Sequence, residues 1–174
     1  MVDSVKSSGT RSITILGATG SIGASALDVI ARHPHRFRVH AVTAQTNVDD
    51  LADIAARFNT QVAVIGDPTL ERPLHDALRS RGANAIACAG RRALVEAAQA
   101  PECDAVLAAI VGAAGLEPTI AAAEAGKRLL LANKEAIVCA GALLMDAVRR
   151  GGAMLLPVDS EHNAIHQCLS GLPE

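Results

Sequence analysis

Tyrosine and tryptophan are absent from this chain of 174 residues, and phenylalanine occurs twice. A core must therefore be built from Ala, Val, Leu and Ile. The same lack removes the aromatic platforms on which single-stranded nucleic acid stacks. No excess of one charge is present: 16 Lys and Arg stand against 18 Asp and Glu, interspersed, for a net charge of −2. That excludes the basic footprint of a protein that grips DNA, RNA or an acidic membrane. The four cysteines, Cys88, Cys103, Cys139 and Cys168, are scattered and form no Cys-x-x-Cys. Zinc-ribbon spacing is missing, and a disulfide framework is not expected in a chain of this size. Reduced thiols in a cytoplasmic protein are expected. Residues 1–11 are polar, so they make neither a signal peptide nor a membrane segment. They read as a disordered lead-in. Repeats and low-complexity stretches are also lacking.

What is present is an alternation of apolar runs and helical patterns. Half of the chain is hydrophobic, enough for one substantial core. Strands are predicted at 12–17, 37–43, 62–65, 84–88, 104–110, 127–132 and 153–158. Helices are predicted at 21–32, 48–58, from Asp67-Pro68 to about Arg81, 90–99, 117–125, 135–150 and 162–169. Several strands are continuously apolar, as strands covered on both faces are. The pattern predicts an α/β fold: a doubly wound, mostly parallel Rossmann-like sheet with helices on both faces.

The first strand-to-helix turn reads Gly17-Ala18-Thr19-Gly20-Ser21-Ile22-Gly23. This G-x-x-G-x-x-G is a relative of the dinucleotide fingerprint. Glycines permit a tight turn and a close backbone approach to a pyrophosphate, and the helix start offers N–H groups to the anion. Thr19, Gly20, Ser21 and Ile22 are the candidate contacts; a glycine turn made only for packing is the plainer alternative. The second strand ends in Ala44-Gln45-Thr46-Asn47, with no acid before Asp49. NAD enzymes place Asp or Glu there to accept from the ribose 2′-hydroxyl. Its absence removes repulsion against a 2′-phosphate, which Gln45, Thr46 and Asn47 can hydrogen-bond, so NADPH is favoured over NADH. No Lys or Arg lies in this stretch, so the phosphate charge must be met from elsewhere.

Three later stretches carry chemistry. Ala108 to Gly115, AAIVGAAG, would let a flat ring lie against backbone, or serves close packing alone. Asn133, Lys134 and Glu135 follow the sixth strand, at the edge where ligands of open α/β sheets bind. A Lys there can hold a phosphate or polarise a carbonyl oxygen; the alternative is a plain helix start with an early Glu. Finally, Asp159 and Glu161 flank Ser160 after the last strand. If extended, the backbone points both carboxylates to one side. Oxygen-only donors suit Mg²⁺ or Mn²⁺. A helix cap with a first-turn charge, a metal-free acid–base pair, and zinc held by His162, His166 and Glu161 stand beside that reading.

Taken together, GATGSIG, AAIVGAAG, LANKE and LLPVDSEHNAI, in this order, closely resemble the 1-deoxy-D-xylulose 5-phosphate reductoisomerases. The resemblance covers nearly all of the chain after the first ten residues. It implies an oxidoreductase and isomerase of the non-mevalonate isoprenoid route, dependent on NADPH and on Mg²⁺ or Mn²⁺. The keto-sugar phosphate is rearranged to a branched aldehyde, then reduced by hydride to 2-C-methyl-D-erythritol 4-phosphate. The resemblance places Thr19, Gly20, Ser21 and Ile22 on the pyrophosphate, and Gln45, Thr46 and Asn47 on the adenosine phosphate. Family members often carry Gly and Lys where Gln45 and Thr46 stand here. It also places Asn133 and Glu135 on the nucleotide, Lys134 and Ser160 on the substrate, and Asp159 and Glu161 on the metal.

The expected organisation is a lead-in at 1–11, a nucleotide-binding domain at 12–152, and the start of a catalytic domain at 153–174. Family members continue beyond this point with a third acidic ligand, phosphate-binding side chains and a lid. The 174-residue chain is therefore expected to bind nucleotide without turnover, and the full-length enzyme to be a homodimer. Two other readings are kept. One is a stand-alone NADP-binding module; the other is a semialdehyde-dehydrogenase-like reductase, which needs an activated Cys. A Tyr-x-x-x-Lys reductase is excluded by the absence of Tyr.

Overall fold

A computed structural model of the chain describes residues 9–132 and 135–169, with Glu135, Ser160, Glu161, His162, His166 and Leu169 described by their backbone. Seven strands form one sheet: β1 Arg11–Leu16, β2 Phe37–Ala44, β3 Val62–Ile65, β4 Ile86–Ala89, β5 Ala105–Ala108, β6 Arg128–Leu131 and β7 Met154–Pro157. Their order is β4-β3-β2-β1-β5-β6-β7, and every pairing is parallel. Parallel strands need crossovers, and helices supply them. These are α1 Ser21–Arg32, α2 Val48–Phe58, α3 Glu71–Ser80, α4 Gly90–Gln99, α5 Leu116–Glu124, α6 Glu135–Gly151 and α7 Ser160–Leu169.

The chain winds outward from β1 to β4, then crosses back through α4 to β5 on the other side of β1. The two halves therefore part between β1 and β5, the switch point at which open α/β sheets bind ligands. Strand alternation feeds two cores. Ile13 and Ile15 pack with Leu27 and Ile30 of α1, Leu51 of α2 and Leu74 of α3. Leu16, Val106, Leu129 and Leu131 face the other way, toward Ala122 of α5 and Leu144 of α6. Opposite α5 and α6, Leu107, Leu130 and Leu156 line an open apolar groove of about 460 Å³ beside Ile22 and Val29 of α1.

The doubly wound, parallel expectation holds, and four details differ. Pro68–Leu70 form a separate 3-10 turn ahead of α3, because Asp67 accepts from the Thr69 amide at 2.9 Å and caps the turn. Strand β5 ends at Ala108, and the Ala109 amide makes a last bond to the Leu16 carbonyl at 3.0 Å. Helix α6 is interrupted at Ala140, with φ −144° and ψ 28°. Helix α7 starts at Ser160, so Glu161 lies in a helical first turn and not on extended backbone. The lead-in expected over 1–11 lies largely outside the described residues, and Arg11 already belongs to β1.

One irregularity lies inside the sheet. The β1–β2 register runs Ile13↔Val39 and then Thr14↔Ala41, which leaves His40 as the extra residue of a bulge. His40 is buried. Burial holds its imidazole below the ordinary range; Glu102 and a hydrogen bond with Gln61 pull upward, and Arg38 and Lys127 push down.

Candidate dinucleotide-binding site

The site is built around the turn after β1. Gly17 has φ +86°, a backbone conformation that L side chains rarely adopt. A Cβ there would stand 2.8 Å from the carbonyl oxygen of Ala109, so the turn lies directly against the end of β5. Thr43, fully buried on β2, ties down the other side. Its Oγ1 accepts from the Gly17 amide at 2.9 Å, and its carbonyl accepts from the Ala18 amide at 2.8 Å. Gly23 closes the arrangement from within α1: a Cβ there would meet the Gly17 carbonyl oxygen at 2.4 Å and Ala18 Cα at 2.7 Å. Only a hydrogen fits, which is why helix and turn pack so closely.

Gly20 is different. A Cβ there would meet only the Gly17 carbonyl oxygen, at 3.4 Å, an ordinary contact. It is the N-cap of α1, it is exposed, and it supplies no side-chain cap; the first turn of α1 has no acid either. The leading amides of a helix need partners. Here no side chain takes them, and the helix dipole adds positive potential at the same place. The arrangement suits an anion laid across Thr19, Gly20, Ser21 and Ile22. Thr19 is half-buried, and Ser21 and Ile22 are exposed.

At the end of β2, Gln45, Thr46 and Asn47 are all exposed. Asn47 also caps α2: its Oδ1 accepts from the Asp50 amide at 3.2 Å. Gln45 lies across Gly66, where a Cβ would stand 2.3 Å from its Oε1. Asp49, the first acid of the segment, turns outward to α3 and accepts from Arg81 Nη2 at 3.0 Å, and Asp53 accepts from Arg81 Nε at 2.5 Å. Those two carboxylates thus face a guanidinium, whereas the Asp50 carboxylate stays beside the loop and accepts from Asn47 Nδ2 at 2.5 Å. A cavity of about 780 Å³ opens beside Gln45 and Gly66, bounded by Ala113 and Ala114 after β5 and by Arg91 and Leu94 of α4. Sequence reasoning missed Thr43, Gly66 and Arg91. No motif marks them; Thr43 reaches the site through pairing of β2 with β1, Gly66 through pairing of β2 with β3, and Arg91 through the α4 crossover.

Asn133 and Lys134 lie outside the described residues. The backbone of Glu135 begins α6, immediately after β6. Strand β7 extends the sheet past β6, with Leu131↔Pro157 in register and the Val158 amide donating to the Leu131 carbonyl at 3.0 Å. Asp159 and the backbone of Ser160 and Glu161 therefore stand at the same carboxyl edge as the glycine turn. The Asp159 carbonyl accepts from the Asn163 amide at 3.0 Å, so Asp159 opens α7. Among the described residues, no group of three or more His, Cys, Asp or Glu gathers to hold a metal. The donors of Asp159 and Glu161 are carboxylate oxygens, the chemistry that Mg²⁺ and Mn²⁺ take, and a cage would need further oxygens.

Burial pushes the Cys88 and Cys103 thiols up, which disfavours the thiolate. Cys139 and Cys168 are exposed on α6 and α7. Among the described residues, no helix is long and apolar enough to cross a membrane.

Comparison with known proteins decides the family. Residues 13–141 match the family model for 1-deoxy-D-xylulose 5-phosphate reductoisomerase. The chain belongs to the 1-deoxy-D-xylulose 5-phosphate reductoisomerase family. Within that family, the enzyme of Janthinobacterium sp. (strain Marseille) is 58% identical over 159 residues, 91% of this chain and 41% of the relative. That of Ralstonia nicotianae is 60% identical over 157 residues, 90% of this chain and 40% of the relative. The chain thus spans about two fifths of the length of these relatives. The solved reductoisomerase of Zymomonas mobilis in complex with NADPH superimposes with a TM-score of 0.88 at 54% identity, over 95% of this chain and 42% of that one. A reductoisomerase in complex with NADPH, fosmidomycin and magnesium gives 0.88 at 47% identity, over 94% and 39%. A biliverdin reductase at 20% identity, TM-score 0.58, shares the fold alone.

Proposed function

We propose that this chain carries the NADPH-binding part of a reductoisomerase that converts 1-deoxy-D-xylulose 5-phosphate to 2-C-methyl-D-erythritol 4-phosphate. The observation that carries the reading is the uncapped start of α1, held by Gly17, Thr43 and Gly23 at the switch point between β1 and β5. An anion-binding helix start in that place is what a dinucleotide pyrophosphate needs. Family membership and the NADPH and magnesium complexes of related structures support it.

Thr19, Gly20, Ser21 and Ile22 hold the pyrophosphate through backbone amides. Gln45, Thr46 and Asn47 meet the adenosine phosphate, and Asn133 and Glu135 meet the nucleotide further along the edge. Lys134 and Ser160 contact the sugar phosphate. Asp159 and Glu161 would hold the Mg²⁺ or Mn²⁺. When bound, the nucleotide would supply the hydride and the cation would draw electron density from the sugar oxygens. The protein's part is to bring both to one edge of the sheet, where the ends of β1, β6 and β7 converge. The assembled enzyme is proposed to be a cytoplasmic homodimer.

The test is a titration of the 174-residue protein with NADPH and NADH, followed by nucleotide fluorescence, with and without Mn²⁺. Saturable binding with NADPH preferred over NADH is expected. Preference for NADH would contradict the cofactor assignment, and absence of binding to either would remove the nucleotide reading.

A further inference from the structure

Nothing in Gln45–Asn47 carries a positive charge, yet a 2′-phosphate is close to a dianion at neutral pH. Hydroxyl and amide donors alone leave that charge unbalanced. The fold brings a cation to the place from 46 residues further along the chain. Arg91, the second residue of α4, lines the same cavity as Gln45 and Gly66. Its side chain is 82% exposed, and its Nε donates to Glu117 at the start of α5. Glu117 and Glu124 line the cavity as well. One donor is thus engaged out of the five a guanidinium has, and the planar fork matches a phosphate as well as a carboxylate.

Other cations near this edge are less suited. Arg81 is held by Asp49 and Asp53. Arg57 faces a separate cavity, between α1 and α2, which Asp28, Asp50 and Asp53 make acidic. Arg92 points away, paired with Glu96 at 2.7 Å, and does not line the cavity of Gln45.

We infer that Arg91 supplies the positive charge that the Gln45–Asn47 loop lacks, and so sets the preference of this chain for a 2′-phosphorylated nucleotide. The inference rests on the nucleotide-binding reading above. Glu117 keeps the guanidinium at the cavity wall until a phosphate competes for it. Gln45, laid over Gly66, provides a neutral donor in the same cavity.

The experiment compares adenosine 2′,5′-bisphosphate with 5′-AMP by calorimetric titration against wild type, Arg91→Gln and Arg92→Gln, with thermal melts to confirm folding. Losing a charge-assisted hydrogen bond should weaken the bisphosphate about 10- to 100-fold in Arg91→Gln. Binding of 5′-AMP should stay within about twofold, as should both ligands in Arg92→Gln. A folded Arg91→Gln variant that keeps the wild-type preference for the bisphosphate would overturn the inference and leave the nucleotide site standing. So would an equal loss in Arg92→Gln. If wild type binds neither ligand and neither NADPH nor NADH, the nucleotide reading itself fails and the inference falls with it.

Discussion

Two glycines of the same turn should respond oppositely to alanine. At Gly23 a methyl would meet three backbone atoms, the Gly17 oxygen at 2.4 Å, Ala18 Cα at 2.7 Å and the Ala18 oxygen at 2.7 Å. None can swing aside as a flexible side chain would, so helix α1 must move off the turn. Overpacking of this kind costs about 1–3 kcal/mol, and contacts this short against backbone belong at the upper end. Alanine returns about 1 kcal/mol of helix propensity. The net loss is about 2 kcal/mol, which for a chain of this size lowers Tm by about 4–8 °C. Gly20 has φ −81° and ψ 169°, open to any residue, and its nearest contact would be 3.4 Å. Gly20→Ala should keep Tm within about 3 °C, since the N-cap change costs less than about 1 kcal/mol. Its methyl would stand at the exposed helix start where the pyrophosphate approaches, so NADPH should bind roughly tenfold more weakly, about 1.4 kcal/mol. Circular dichroism melts and NADPH fluorescence titrations read both quantities. A Gly23→Ala protein that melts with wild type and binds normally would refute the packing account. A Gly20→Ala protein with wild-type affinity would refute the placement of the anion.

Stability should fall on mild acidification through His40. Its folded pKa is lowered by burial while the unfolded imidazole titrates near 6.5, so the unfolded state takes up the proton first. The contribution is complete above about 6.5 and is lost as pH falls toward the lowered folded value; urea midpoints measured across that window should drop, and less so in His40→Gln. Lys127 Nζ donates to the carbonyls of Ala100 and Cys103, both at 2.7 Å. Lys127→Met strands both acceptors and should cost about 1–3 kcal/mol, seen as a lower urea midpoint. A thiol-specific reagent should modify exposed Cys139 and Cys168 in the native protein and reach buried Cys103 only after denaturation; native-state labelling of Cys103 would contradict its burial.

The candidate site was legible wherever it depends on neighbours in the chain. The glycine turn, the missing acid at Gln45–Asn47 and the carboxylates Asp159 and Glu161 are local words, each of which offers a functional reading beside a structural one before any fold is known. The fold class was legible for a related reason. Apolar runs alternating with amphipathic segments can bury their surfaces only as a parallel sheet wrapped by helices. Turn chemistry was less so. The 3-10 turn at Pro68–Leu70, the break at Ala140 and the early start of α7 depend on hydrogen bonds and packing that hydrophobic periodicity does not encode.

The sequence by itself determined that this chain winds a parallel sheet and opens it with a tight glycine turn, because strand period, helix period and glycine conformational freedom are properties of adjacent residues. The tertiary structure decided which distant residues serve that turn. Thr43 anchors it because β2 pairs with β1, Ala109 backs it because β5 pairs on the other side, and Arg91 lines the same cavity as Gln45 because α4 crosses the sheet. Those contacts come from strand order, and strand order is set by how the whole chain buries its apolar faces.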